Sequence, residues 1–187
     1  MAENKVQFNL KNVHYAAILT DTEEGTTYDD VVAVPGAVSL DLSQEGEITP
    51  FYADGIKYYI ASSNSGYAGT LELARIPDQM LADIWGMTKN AAGVITETVD
   101  VPFNDFALMF QIDGDENETL YTFYKCSAQR PTIASQTNEE TKEPQTSTLE
   151  LSISPRIADG KIKVHTSDTT TTAVRTAWFT TVYEETP

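Results

Sequence analysis

Phe106-Ala107-Leu108-Met109-Phe110-Gln111-Ile112, followed by Asp113-Gly114-Asp115 and then by Leu120-Tyr121-Thr122-Phe123-Tyr124-Lys125-Cys126, is the stretch that decides the class of fold. Phe106, Leu108, Phe110 and Ile112 recur at every second position, the period at which side chains return to one face of a strand. A second run, rich in aromatic residues, follows at once. Asp-Gly-Asp between them suits a turn, so the stretch predicts two strands joined as a hairpin.

The same alternation continues in both directions. Val6, Phe8 and Leu10 alternate, as do Val38, Leu40 and Leu42, then Ile56, Tyr58 and Ile60, and later Leu149, Leu151 and Ile153. Asp54-Gly55 tolerates the positive φ of a tight hairpin, so 50–62 reads as a turn feeding a strand. Thr70-Leu71-Glu72-Leu73 is a further strand signal, and Ile162 and Val164 follow a third Asp-Gly pair at Asp159-Gly160. One interior segment, about Pro77–Trp85, has helical punctuation. Pro77 fits the first helical position, Asp78 the positive helix end and Gly86 the far end. Met80, Leu81, Ile84 and Trp85 would share its buried face. A weaker helical pattern runs through Ala173, Val174, Ala177, Trp178, Thr181 and Val182. Two polar stretches, about 21–30 and 127–148, read as extended loops, and loops of such length carry function or lack order. No internal repeat or composition shift divides the chain, so 1–187 is expected to be a single, mainly β domain with long arms.

Composition narrows the function. The chain has 187 residues, 41% of them hydrophobic, and a formal charge of -16 from 28 Asp+Glu against 12 Lys+Arg. Such a surface repels polyphosphate, which disfavours ordinary nucleic-acid binding. The acids cluster: Asp21, Glu23, Glu24, Asp29, Asp30, Asp41, Glu45, Glu47 and Asp54 fall between Lys11 and Lys57 with no intervening base. Another base-free stretch separates Lys89 from Lys125. Cys126 is the only cysteine, so no intrachain disulfide can form, and synthesis in a reducing cytoplasm is expected. Met1 to Lys5 lacks the pattern of a signal peptide, and no apolar run reaches the length of a membrane span.

Catalytic material is scarce. His14 and His165 are the only histidines, and with one cysteine they build neither a zinc site nor a nucleophile–base pair at a recognisable spacing. Asp113-Gly114-Asp115-Glu116-Asn117-Glu118 imitates the start of a calcium loop, but Glu118 stands where Gly is required and Tyr124 where a bidentate Glu is required. It reads as an acidic hairpin tip. Asn117-Glu118-Thr119 matches the glycosylation pattern without a secretory route. Gly66-Tyr67-Ala68-Gly69 is too poor in glycine to cradle phosphate and reads as a turn. Tyr52, Tyr58, Tyr59 and Tyr67 could form a carbohydrate-stacking surface, while their alternation favours core or subunit-interface packing. Catalytic, cofactor-binding and metal-ligating residues are therefore assigned to none, no cofactor is expected, and an enzyme is not expected.

Five blocks, in order, carry a resemblance. Gly36-Ala37-Val38-Ser39-Leu40-Asp41-Leu42-Ser43-Gln44-Glu45-Gly46 is followed by Phe51-Tyr52-Ala53-Asp54-Gly55-Ile56-Lys57-Tyr58-Tyr59 and then by Gly66-Tyr67-Ala68-Gly69-Thr70-Leu71-Glu72-Leu73-Ala74-Arg75-Ile76-Pro77-Asp78. Phe106-Ala107-Leu108-Met109-Phe110 and Thr141-Lys142-Glu143-Pro144-Gln145-Thr146 complete the series. Together they resemble the major tail proteins of long, non-contractile-tailed bacteriophages. The resemblance implies a virion tail tube protein, made in the bacterial host: a β-sandwich or partly closed β-barrel with a flanking helix, forming hexameric rings that stack into a conduit for DNA ejection. It also implies tape measure and tail terminator or initiator proteins as partners. Loops 42–54 and 127–148 become candidates for reaching adjacent subunits or rings, and the acids become candidates for a wall along which DNA passes without adhering. A secretion-system tube protein and a carbohydrate-binding β-sandwich module are the alternatives, with a carboxylate hydrolase more remote.

Overall fold

A computed structural model describes residues 4–137 and 144–185. Its centre is the hairpin of β10 (Phe106–Gly114) and β11 (Thr119–Ala128). β10 is buried on both faces: Phe106, Leu108 and Phe110 enter the main core, whereas Ala107 and Met109 enter a second, smaller one. Outward from the hairpin run β1 (Gln7–Thr22) on one side and β12 (Ser147–Ile153), β7 (Gly66–Leu73) and β4 (Ala37–Glu45) on the other. β2 (Gly25–Tyr28) and β3 (Val32–Ala33) return along the outer edge of β1, β13 (Lys163–His165) lies on β11, and β8 (Thr88–Lys89) pairs with β9 (Ile95–Thr96) apart from the sheet. Every pairing among them is antiparallel. The sheet curls around the main core, but β4 forms no ladder with β1 and the barrel stays open.

A bulge in β11 makes the two cores possible. Leu108 faces Phe123 and Phe106 faces Cys126, so β11 carries an extra residue between these pairs. Phe123 and Cys126 can then both point into the main core, with Tyr124 turned to the opposite side. At the same point the outer edge of β11 changes partner, from β13 at Tyr121–Phe123 to β12 at Cys126–Ala128. The sheet forks there into the two walls of a sandwich.

Helix α1 (Asp78–Trp85) closes the main core with Met80, Ile84 and Trp85, and burial of each such side chain stabilises by roughly 1.5–3 kcal/mol. Pro77 is its N-cap in extended geometry, one place before the first helical residue. Gly86 ends it with φ 64 and donates to the Ala82 carbonyl. Trp85 Nε1 donates to the Ala128 carbonyl at 3.1 Å, and Tyr15 Oη donates to Asp83 Oδ2 at 2.7 Å, which ties α1 to both walls.

The second core is roofed by the C-terminal segment. α2 (Thr172–Ala177) is shorter than the helical pattern through Val182 predicts and buries none of its own residues. Trp178 and Val182, beyond it, are the buried ones. Arg156 clasps this roof: it is only 5% exposed, binds Asp159 at 2.7 and 2.8 Å and Glu184 at 2.7 Å, and stacks 4.2 Å from the Tyr124 ring. Hydrogen bonds to Asp159 and Glu184 raise the guanidinium pKa further, and the bond from Arg156 holds the Asp159 carboxyl far below the usual range. Burial pushes the nearby Tyr28 hydroxyl up to about 12.

Several sequence expectations change. The stretch 21–30 is no loop, because β1 and β2 form a hairpin through it with Thr20 opposite Thr27. Threonine-rich strands tolerate the polar composition that suggested a loop. Gly66 to Gly69 is strand and no turn: a Cβ on Gly69 would lie 1.8 Å from the Asp41 carbonyl, so glycine is required by the close approach of β4 and β7. The Asp159-Gly160 turn does not join a hairpin, since β13 pairs with β11 instead of β12. The tip at Asp113 to Glu118 does join β10 to β11 as an acidic loop, with Gly114 still inside the strand.

Candidate assembly interface

Between β4 and β7 the chain leaves the domain. β5 (Ile48–Ala53) and β6 (Ile56–Ser62) form a separate two-stranded sheet, and Asp54 (φ 52) with Gly55 (φ 77) makes its tip. Both positive φ values fit a type I′ hairpin turn. Loop 42–54 is thus mostly strand. The ladder from the domain into this arm is continuous, with Ser65 N–H donating to the Glu45 carbonyl at 2.8 Å and Ser63 N–H to the Glu47 carbonyl at 3.0 Å. At the root, a Cβ on Gly46 would sit 2.1 Å from the Ser63 carbonyl oxygen, so only glycine lets the strands cross there. From Gly46 to Ala53 the arm projects by roughly 23 Å at the rise of an extended strand.

The arm is apolar and uncovered. All of β6 is exposed, and Ile48, Phe51, Tyr52, Ile56, Tyr58, Tyr59 and Ile60 are exposed large hydrophobics, Tyr58 at 70%. Phe51 stands opposite Tyr59 on one face, and Pro50 opposite Ile60 on the other. A bulge between Phe51 and Tyr52 extrudes Tyr58. A two-stranded hairpin with both faces in water is marginal in stability, and contiguous exposed apolar surface marks an interaction site. The tyrosine cluster therefore does not pack the core: Tyr52, Tyr58 and Tyr59 ride on the arm, and only Tyr67 is half-buried, edge-on to Phe123.

Beside the arm's root lies an acidic face. Register places Asp41, Thr70 and Glu150 side by side across β4, β7 and β12, flanked by Ser39, Glu72 and Thr148 and by Ser43, Ala68 and Ser152. No lysine or arginine stands in this array. Hydrogen bonds from Thr146 and Ser39 hold the Glu72 carboxyl below its usual value, so the face stays charged. β4 also has an open edge, a row of unpaired backbone groups suited to pairing with another chain. Of the other long loop, 127–148, residues 138–143 lie outside the described residues, and Ile133 is fully exposed.

The residues weighed for catalysis sit in packing roles. His14 stacks on Phe179 at 4.6 Å and His165 on Tyr121 at 5.4 Å. Burial pushes the Cys126 thiol pKa far up, leaving it an inert core side chain. Among the described residues no group of His, Cys, Asp or Glu is arranged to hold a metal ion, and no helix is long and apolar enough to cross a membrane.

No family model matches the chain, and no curated protein matches it. Among solved structures, it is similar to the anti-feeding prophage cap, a tube-terminating cap determined by cryo-EM, at 14% identity and a TM-score of 0.36, over 89% of this chain and 96% of that one. A likeness at that level decides neither fold nor function.

Proposed function

We propose that this chain is a structural virion protein, the major subunit of a bacteriophage tail tube, that assembles into hexameric rings stacked as a conduit for DNA ejection. The observation that carries the reading is the β5–β6 arm, an apolar projection with no partner among the described residues of its own chain. An arm of this kind gains stability when a neighbour covers it, and an open β4 edge gains it when a neighbour pairs with it. Of the ordered sequence blocks that resemble major tail proteins, the first three fall on β4, the arm and β7 and the fourth on β10, while the fifth, 141–146, lies mostly outside the described residues. In such a tube the base-free face of β4, β7 and β12 is the natural wall for DNA, because like charge prevents binding by counterion release. Tape measure and terminator or initiator proteins would be the further partners.

Electron microscopy of the purified protein beside a variant with residues 47–62 replaced by a short turn tests this. Rings or tubes from the wild type and none from the variant are expected. A wild type that stays monomeric at every concentration and binds glycans through Tyr52, Tyr58 and Tyr59 would favour the carbohydrate-binding module instead.

A further inference from the structure

We infer that Asp54-Gly55, at the tip of the β5–β6 arm, is a site of covalent modification, where the chain converts through a cyclic imide to an isoaspartyl linkage. The inference holds whether or not the arm is the assembly element. The Gly55 amide nitrogen attacks the side-chain carboxyl carbon of Asp54, a bond forms between them, and a carboxyl oxygen leaves as water with the amide proton and the carboxyl proton. Only the neutral carboxyl can lose water in this way. Water then adds to the former main-chain carbonyl carbon of Asp54 and breaks its bond to that nitrogen, so the chain now runs through the side-chain carbon. One water leaves and one enters, and neither mass nor the number of ionisable groups changes.

Asp113-Gly114 and Asp159-Gly160 share this local chemistry, and the fold sets them apart from the tip. The Asp113 carboxylate is bound by Lys11 at 2.5 Å and by Gln111 at 2.8 Å. Gly114 lies in the ladder opposite Gln7, and a Cβ on it would lie 2.4 Å from Asn4 and from the Asn117 carbonyl oxygen, so the backbone there has no room to turn. Arg156 binds both oxygens of Asp159, at 2.7 and 2.8 Å, and the Gly160 N–H donates to the Arg156 carbonyl at 3.1 Å. Electrophile and nucleophile are both held, and the guanidinium keeps that carboxyl ionised. At the arm's tip neither group is held. Among the described residues no hydrogen bond or ion pair reaches the Asp54 carboxyl, and the Gly55 N–H has no backbone partner. A Cβ on Gly55 would meet nothing within 4 Å. Asp54 holds φ 52, a left-handed conformation in which a residue with a Cβ is strained, and opening of the turn relieves it. A two-stranded hairpin uncovered on both faces opens readily. The product lengthens the main chain by a methylene, which breaks the two-residue turn that sets Ala53 opposite Ile56.

The test ages the full chain in mildly acidic buffer, native and in parallel unfolded in urea, then digests it and labels the peptides with an isoaspartyl methyltransferase and radioactive S-adenosylmethionine. Trypsin places the three Asp-Gly pairs on separate peptides, because Lys57, Lys89, Lys125 and Arg156 divide them. In urea the fold no longer distinguishes the pairs, and all three peptides are expected to label at similar rates. From the native protein, the peptide ending at Lys57 is expected to label several-fold faster than those carrying Asp113 and Asp159. Asp54→Glu, whose side chain would have to close a larger ring, is expected to lose that label. Asp54→Asn, which closes the same ring with loss of ammonia, is expected to gain it faster than wild type. Both changes fall on an exposed tip, and unchanged melting temperatures verify that the variants fold. Native label spread evenly over the three peptides, label appearing first at Asp113 or Asp159, or label at Asp54 in urea alone would each overturn the assignment.

Discussion

Replacing Arg156 with methionine removes the clasp between the sheet and its C-terminal roof. The guanidinium is nearly buried, bridges Asp159 and Glu184, donates to Tyr28 Oη at 3.4 Å and covers the Tyr124 ring. Breaking a buried ion pair by removing one partner costs about 3–5 kcal/mol, mostly from the charge left stranded. Here the stranded groups are the carboxylates, and their side chains are 34% and 44% exposed, so water recovers much of that loss. Loss of the cation–π contact adds about 0.5–2 kcal/mol. The expected net loss is about 2–4 kcal/mol, or a fall in melting temperature of roughly 5–15 °C for a chain of this size. Urea unfolding gives the free energy by linear extrapolation, and the slope is expected to stay constant because the buried area hardly changes. Arg156→Lys keeps the charge but loses the two-pronged geometry, so it is expected to fall between the two. The pH dependence has a definite sign. The folded Asp159 carboxyl titrates below its unfolded value of about 3.9, so its contribution is complete above that pH and fades as the pH falls through the lower, folded value. The gap between wild type and Arg156→Met is thus constant near neutrality and narrows below about pH 4. A loss smaller than about 0.5 kcal/mol at neutral pH, within the range of an ordinary surface substitution, would refute the clasp.

Other perturbations separate the domain from its arm. Trp85→Phe keeps an aromatic ring but leaves the Ala128 carbonyl without its indole donor, and calorimetry is expected to show a loss of about 1–3 kcal/mol. Gly69→Ala forces β4 from β7 and is expected to cost about 2 kcal/mol or more in the same measurement. Gly46→Ala meets an equally close carbonyl at the arm's root, yet it is expected to leave the melting temperature unchanged and to reduce assembly seen by electron microscopy. Asp21→Asn weakens the bond from Lys125 Nζ, now at 2.7 Å. Burial alone would raise the Asp21 carboxyl, but bonds from Lys125, Thr26 and the Ile157 N–H outweigh it and hold the pKa below the usual value. Its contribution is therefore complete above about pH 4 and fades as the pH falls through the lower, folded value, and urea titrations are expected to show a larger gap between variant and wild type at pH 7 than at pH 3.

Local chemistry alone determined the β class, the β10–β11 hairpin, the tip at Asp54-Gly55 and helix α1, because period-two alternation, positive-φ tolerance and helix punctuation act over a few residues. It also exposed the shortage of nucleophiles and metal ligands. What it left open depends on neighbours distant in the chain. Ile56, Tyr58 and Ile60 alternate as well as Phe106, Leu108 and Phe110 do, yet the first set is exposed and the second is core. Alternation reports that a strand has faces, and only the rest of the fold decides whether anything covers them. Trp178 and Val182 matched a helix yet fold as an irregular roof, in which Val182 enters the second core and Trp178 stacks on Tyr183. Gly46 and Gly69 look like turn residues in sequence, but strand crossings contributed by Ser63 and Asp41 make them necessary. The base-free acidic face emerges only when register sets Asp41, Thr70 and Glu150 side by side, since residues 29 and 80 positions apart become neighbours through pairing alone.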